Sequence, residues 1–275
     1  MSTTLLLQLS DLHIREPGRL AYERINTAPY LAQAVESIKR LRQTPDAVVI
    51  TGDLTDFGRA AEYDHLCALL SPLPMPVFLL PGNHDDRAQL RASFADHAYL
   101  GTTGFVQYSV SIGNLQLIAL DTVVPGASEG GLCEERLAWL AIELDKAKHR
   151  PVVIAMHHPP FQTLIGHMDA IGLLQGAQAL EALVAKYPNV ERVICGHLHR
   201  AIQVRFGGSI AATVPAPGHQ VTLDLAPDAA STWMLEPPGF AIHALPLGGR
   251  LVSHLAASGQ FEGPYPFHEG GALID

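Results

Sequence analysis

An α/β fold is predicted by three features of the chain. Short apolar runs of strand length alternate with helical periodicities over its first eighty residues. Further on, apolar and polar residues alternate strictly about glycine turns, the pattern of antiparallel hairpins. With 275 residues, 48% of them hydrophobic and 16% charged, the chain can bury a sizeable core.

The elements follow in order. Leu5 to Leu9 reads as a strand and runs directly into Ser10-Asp11-Leu12-His13. Ala34, Val35, Ile38 and Leu41 recur at helical spacing, and Pro45 closes that segment. Ala47 to Thr51 is the next strand and ends in Gly52-Asp53. Tyr63, Leu66, Cys67 and Leu70 mark a second helix, and Val77 to Leu80 a third strand ending in Pro81-Gly82-Asn83-His84-Asp85. This alternation predicts parallel pairing with ligands at the carboxyl ends of the strands.

Val106 to Ile112 and Leu115 to Leu120 flank Gly113-Asn114 as a hairpin, so the sheet turns antiparallel there. Glu134 and Glu135 open a helix carrying Leu137, Leu140, Ala141 and Leu144. Val152 to Met156 ends in His157-His158. A helix through Leu180 and Val184 precedes Val193 to Cys195, which ends in Gly196-His197-Leu198-His199. A second hairpin turns at Gly207-Gly208. From about residue 215 the chain is rich in Pro and Gly; residues 215–275 are expected to complete the second sheet and then form an extension or cap on a core of residues 1–214.

Composition narrows the function. A formal net charge of -9 and no Lys/Arg cluster argue against a nucleic-acid polymer or an anionic membrane surface as partner. A short N-terminal apolar stretch without a basic flank, and no membrane-length run, lead to the expectation of a cytoplasmic protein. Cys67, Cys133 and Cys195 are widely spaced and fit no paired metal or redox motif, so they read as reduced, buried residues.

Five strand ends therefore carry metal-ligating groups. Two adjacent divalent ions need carboxylate, imidazole and neutral amide donors plus one bridging group. Asp11, His13 and one of His197 and His199 could hold one ion; Asn83, His157 and the other histidine could hold the second, with Asp53 bridging. Ions roughly 3.5 to 4 Å apart polarise a phosphoryl oxygen and activate a bridging hydroxide for in-line attack. His84, beside a ligand but with no ion of its own, could stabilise the transition state or protonate the leaving oxygen. The ions could be Fe, Mn, Zn or Co. Gly52, Gly82 and Gly196 are expected to permit sharp turns, and Asp85 to brace His84. His158 is expected to face away and make a structural hydrogen bond. His167 and Asp169 read as a solvated loop ahead of a segment past which substrate enters, and Trp139 and Trp233 as core or interface anchors ahead of substrate-stacking platforms.

Asp11-x-His13, Gly52-Asp53, Gly82-Asn83-His84-Asp85, His157-His158 and Gly196-His197-x-His199, in this order, resemble the calcineurin-like metallophosphoesterases. Leu79 to Asp86, Met156 to Pro160 and Met168-Asp169 are similar to the branch of class III cyclic-nucleotide phosphodiesterases and bacterial glycerophosphodiesterases. The resemblance implies a four-layer αββα sandwich of two mixed sheets flanked by helices. It also implies a dinuclear site with Asp11, His13, Asp53 and His199 on one metal and Asp53, Asn83, His157 and His197 on the other. It makes His84 the catalytic histidine, and His219 a substrate-pocket residue beside Asn83 and His84. The expected activity is hydrolysis of a small phosphodiester, with a 3′,5′-cyclic nucleotide such as cAMP ahead of glycerophosphodiesters; a non-catalytic metal-binding module is the distant alternative. The branch also implies a homo-oligomer, dimer or higher, through the carboxyl-terminal region.

Overall fold

The computed structural model describes residues 3–273. The chain opens with β1 (Thr4–Leu9), α1 (Ala28–Lys39), β2 (Ala47–Thr51), α2 (Ala60–Leu70) and β3 (Val77–Leu80). β1, β2 and β3 pair in parallel, as the alternation predicts. Helix α1 begins ahead of its apolar stripe, because Pro29 suits a first turn whose N–H groups have no intrahelical partner. The short α3 (Arg87–Ser93) is capped by Asp86, whose carboxylate accepts the Gln89 amide at 2.8 Å.

β4 (Tyr108–Ile112) and β5 (Leu115–Leu120) form the first hairpin. They are followed by β6 (Gly130–Gly131), α4 (Glu134–Lys146), β7 (Val152–Met156), α5 (Gly166–Asp169), β8 (Leu173–Gln175), α6 (Ala177–Val184) and β9 (Val190–Cys195). β10 (Gln203–Phe206) and β11 (Ser209–Thr213) make the second hairpin. The chain ends with β12 (Gln220–Val221), β13 (Trp233–Met234), β14 (Gly239–Leu245), β15 (Val252–Ala257), β16 (His268–Glu269) and β17 (Ala272–Leu273).

Two mixed sheets result, in the orders β15-β14-β1-β2-β3 and β10-β11-β9-β7-β5-β4. The period of two in each strand sends alternate side chains to opposite layers. Leu6, Val49 and Leu80 of the first sheet meet Leu117, Val153, Ala155 and Ile194 of the second between the sheets. Their neighbours Leu7, Leu9 and Ile50 pack outward against Leu31, Val35, Tyr63 and Leu66 of α1 and α2. On the far side Ile154 and Val193 meet Leu140 and Leu144 of α4 and Leu180 and Val184 of α6. The result is the four-layer αββα sandwich.

One expectation is corrected. The strands after residue 215 extend the first sheet, not the second. β14 pairs antiparallel with β1, from Thr4↔Leu245 to Gln8↔Ala241, and β15 pairs with β14. Without β14, β1 would leave an apolar strand with an open edge; β14 closes it and adds Phe240 and Leu245 to the core. β14 and β15 therefore share the core of the first 214 residues. Cys67, Cys133 and Cys195 are free thiols. Among the described residues no helix is long and apolar enough to cross a membrane.

Leu117 is fully enclosed between the sheets. Leu117→Ala is expected to cost about 3 kcal/mol, as a buried leucine truncation does, seen as a lower urea midpoint at unchanged slope. A loss below about 1 kcal/mol would show instead that the two sheets close over the void.

Candidate metal centre

β1, β2, β3, β7 and β9 all end at the same edge of the sandwich, and the candidate ligands are the residues that follow them. The backbone turns there in an uncommon way. Asp11, His13, Asp53, His197 and His199 all have positive φ, between 45° and 72°. Such a conformation costs a non-glycine residue on the order of 1 kcal/mol or more, and it persists only where the surroundings enforce it.

The glycines act in two different ways. Gly52 has φ +91°, so it permits a turn, as expected. Gly82 and Gly196 do not have positive φ; they are needed for lack of a Cβ. A Cβ on Gly82 would lie 2.1 Å from Asp53 Oδ1 and 2.3 Å from the Asp53 amide nitrogen. One on Gly196 would lie 2.0 Å from Ser10 Oγ and 2.7 Å from the Thr51 carbonyl oxygen.

Asp85 also differs from expectation. Its carboxylate makes no hydrogen bond or ion pair with His84 among the described residues. It accepts hydrogen bonds from the amides of Leu54, Thr55 and Gly82, from Thr55 Oγ1, and from the Tyr63 hydroxyl at 2.9 Å. It thereby ties the turn carrying Asp53 to the turn carrying Asn83.

The donor atoms gather into two groups around Asp53. In one, His13 Nε2 lies 3.2 Å from His199 Nε2 and 3.6 Å from Asp53 Oδ2, while His199 Nε2 lies 3.6 Å from Asp11 Oδ1. In the other, His157 Nε2 lies 3.3 Å from Asp53 Oδ1, 3.1 Å from Asn83 Oδ1 and 3.2 Å from His197 Nδ1. The two oxygens of Asp53 thus face different groups.

These contacts are not self-sufficient hydrogen bonds. His13 Nδ1 faces the Asp56 carboxylate at 3.2 Å, and His199 Nδ1 faces the His219 carbonyl at 3.0 Å. Each Nδ1–H is committed, so the two Nε2 lone pairs point at one another. His157 Nδ1–H likewise donates to the Thr51 carbonyl at 2.8 Å, leaving its Nε2 to face two oxygens. Lone pairs that converge in this way call for a cation. Ligands about 2.1 Å from one ion lie roughly 3 to 3.5 Å apart, which is the spacing found. The His and Asp clusters are consistent with two divalent metals.

Titration of these groups carries the same message. Burial disfavours the charged imidazole of His157, yet the Asp53 and Asp11 carboxylates outweigh it and raise it to about 9. Asp53 is held well below the usual carboxylate range: burial opposes this, but His157, His84 and His13 outweigh it. His199 falls to about 4, chiefly through burial. Protons would therefore leave as a metal entered.

His84 stands beside the first group, with its ring centroid 4.7 Å from that of His13. Its amide donates to Asp53 Oδ1 at 3.0 Å and its Nδ1–H to the Asp56 carbonyl at 2.9 Å, so Nε2 is free. It lines a cavity of about 210 Å³ together with His13, Asp53, Asn83, His197 and His199. His219 lines it too, as expected. His167 and Trp233 also face this cavity, contrary to the loop and anchor readings, because α5 and the β12–β13 pair fold over the strand ends. Trp233 packs tilted against Tyr22 and edge-on against His219, with centroids 5.7 and 5.4 Å away. Asp169 faces its own loop and accepts the Thr163 and Leu164 amides. His158 bonds Thr122 and the Ser128 carbonyl, the structural role expected of it. Sequence reasoning missed Asp56, which follows Asp53 by three residues and orients both His13 and His84, and missed Tyr22, Ser231 and Thr232 on the pocket wall.

Residues 4–201 match the model of the calcineurin-like phosphoesterases. The chain belongs to that family. This phosphoesterase is 36% identical to a probable glycerophosphodiester phosphodiesterase GpdQ of Arcobacter nitrofigilis, over 98% of this chain and all of that protein. It is 34% identical to a probable cyclic nucleotide phosphodiesterase of Rhodopseudomonas palustris, over 96% of each. Among solved structures, a dimetal phosphatase from Danio rerio shares the fold at a TM-score of 0.68 and 19% identity, over 95% of this chain and 98% of that one. The protein is a metal-dependent phosphodiester hydrolase.

Gly196→Ala would push its new methyl against Ser10 and the Thr51 carbonyl, whose strand also carries Asp53. Metal affinity is expected to fall roughly tenfold or more, as it does when ligand support is disturbed, with the fold retained by circular dichroism. Unchanged metal content after dialysis would mean that the turn absorbs the methyl.

Proposed function

We propose that the enzyme hydrolyses small phosphodiesters at the strand-end site, with glycerophosphodiesters as the leading substrate class. The observation that carries this choice is the wall built by the carboxyl-terminal segment. Ser128, Ser231 and Thr232 are exposed residues in the lining of a cavity of only about 210 Å³. Hydroxyls at the mouth of a small pocket suit a glycerol diol, which offers donors and acceptors and little apolar surface. Full-length similarity to a relative named as a glycerophosphodiester phosphodiesterase supports the same class.

A second reading rests on Tyr22 and Trp233. Their rings border the same pocket and could stack on a purine, which favours a 3′,5′-cyclic nucleotide. The relative from Rhodopseudomonas palustris supports that reading.

In this proposal Asp11, His13 and His199 hold one metal, Asn83, His157 and His197 the other, and Asp53 serves both. Two divalent metals supply Lewis-acid polarisation of the phosphoryl group and a water acidic enough to attack at neutral pH. The rest is done by side chains. Asp56 fixes the His13 ring through Nδ1, and the His219 carbonyl fixes that of His199. His84, held by its Nδ1–H on the Asp56 carbonyl, presents Nε2 to the pocket, where its protonated form donates to the leaving oxygen. Trp233, Tyr22 and His219 keep bulk water from one side. An oligomer formed through the carboxyl-terminal region belongs to the same proposal: Phe261, Tyr265 and Phe267 there are largely exposed.

His84→Ala is expected to retain both metals and lose roughly a hundredfold or more in kcat, whereas Asp53→Ala loses metal from both groups. Elemental analysis beside turnover decides this, and a His84→Ala protein without metal would refute the assignment. Steady-state comparison of glycerophosphoethanolamine with cAMP tests the substrate class. Turnover of cAMP that is faster by kcat/KM would move the second reading to first place, and inactivity toward both would sink the proposal.

A further inference from the structure

At the opposite end of β9 from the metal centre lies a larger cavity, of about 560 Å³. Arg192, Arg205 and Arg250 line it. In a chain with 18 basic residues and a net charge of -9, three guanidinium groups around one hollow is a marked concentration. None of the three makes a side-chain hydrogen bond or an ion pair among the described residues.

Arg192 is the unusual member. It is only 8% exposed, and its Nε is enclosed with no partner. Its two terminal nitrogens are neither enclosed nor hydrogen-bonded, so they stay open to a ligand in the hollow. One carboxylate of the protein favours the Arg192 charge. The single carboxylate in the lining, Glu191, already accepts the Leu251 amide at 3.2 Å. Ser209 Oγ, also in the lining, is enclosed and without a partner. The three arginines come from β9, β10 and the turn before β15, so separate segments converge on the hollow.

We infer that this cavity is a second ligand site, which binds a doubly charged, phosphate-bearing small molecule. The guanidinium plane matches phosphate oxygens in pairs. The volume exceeds that of a bare oxyanion and falls within the range of sites for small organic molecules. The site is distinct from the catalytic pocket. Arg192 and His197 are five residues apart along β9 and its end, roughly 16 Å at about 3.3 Å per residue.

The test is equilibrium dialysis of the metal-loaded protein against inorganic phosphate and, separately, against AMP. Wild type is expected to bind one equivalent of AMP more than an Arg205→Gln/Arg250→Gln double variant, whose exposed side chains can change without disturbing the core. Turnover of bis(p-nitrophenyl) phosphate should be the same in both. Arg192→Met should show the same loss of binding. Equal stoichiometry and affinity in wild type and the double variant would overturn the proposal. So would a joint loss of binding and turnover, since that would place the anion at the metal centre. Of the two probes, AMP binding roughly tenfold tighter or more would assign the site to an organic phosphate, and equal affinity to the free ion.

Discussion

The structure depends on the sharing of one carboxylate. Asp53 Oδ2 faces His13, and its Oδ1 faces His157. These histidines come from different sheets, so the sheets must stop at the same level and approach closely over Asp53. The close approach explains why Gly82 and Gly196 have no room for a methyl, and why the residues that follow the strands turn into left-handed conformations. The strain at each of those turns is opposed by many small ties. Asp11 takes the His197 amide, Asp85 takes three amides and two hydroxyls, and each metal-facing imidazole that reaches inward through Nε2 is fixed through Nδ1.

That arrangement also concentrates charge. Asp11, Asp53 and Asp56 are all buried beside His13, His157, His197 and His199. Removed from water, like charges could not be stable there without compensation. Protons on some of the imidazoles supply part of it, as the raised His157 shows. Metal ions supply it better, because each one satisfies several lone pairs at once. The site is therefore one in which electrostatic strain in the protein becomes metal affinity.

Much of this was legible in the sequence, for a physical reason. A ligand set delivered by strand ends leaves a sharp signal, because an apolar run must stop abruptly at a metal-ligating residue. Asp11, Asp53, His157 and His197 each follow such a run, and the structure brings them together with His13, Asn83 and His199. Residues that act through a backbone atom or a second partner leave no such signal. Asp56 looks like any loop carboxylate, and His219 contributes its carbonyl as well as its ring. Asp85 was misread because adjacency in sequence suggested contact with His84, whereas the tight turn sends its carboxylate back to β2 and α2. The sheet joined by β14 was also not readable: an apolar alternating strand pairs equally well with either sheet, and only the open edge of β1 decides between them.

The position of β14 has a functional consequence. The segment between β11 and β14 leaves the second sheet and must cross to the first. The shortest way across passes over the carboxyl edge where the ligands stand, and it is this crossing that carries His219, Ser231, Thr232 and Trp233. The metal-facing groups are thus built by strands buried in the sandwich, and the pocket wall by a connection that packs through Ala216 and Val221 before it exposes Ser231 and Thr232. Loops held on a rigid scaffold can change their side chains at small cost in stability. The groups that converge on Asp53 and the residues that wall the pocket above them come from separate parts of the chain.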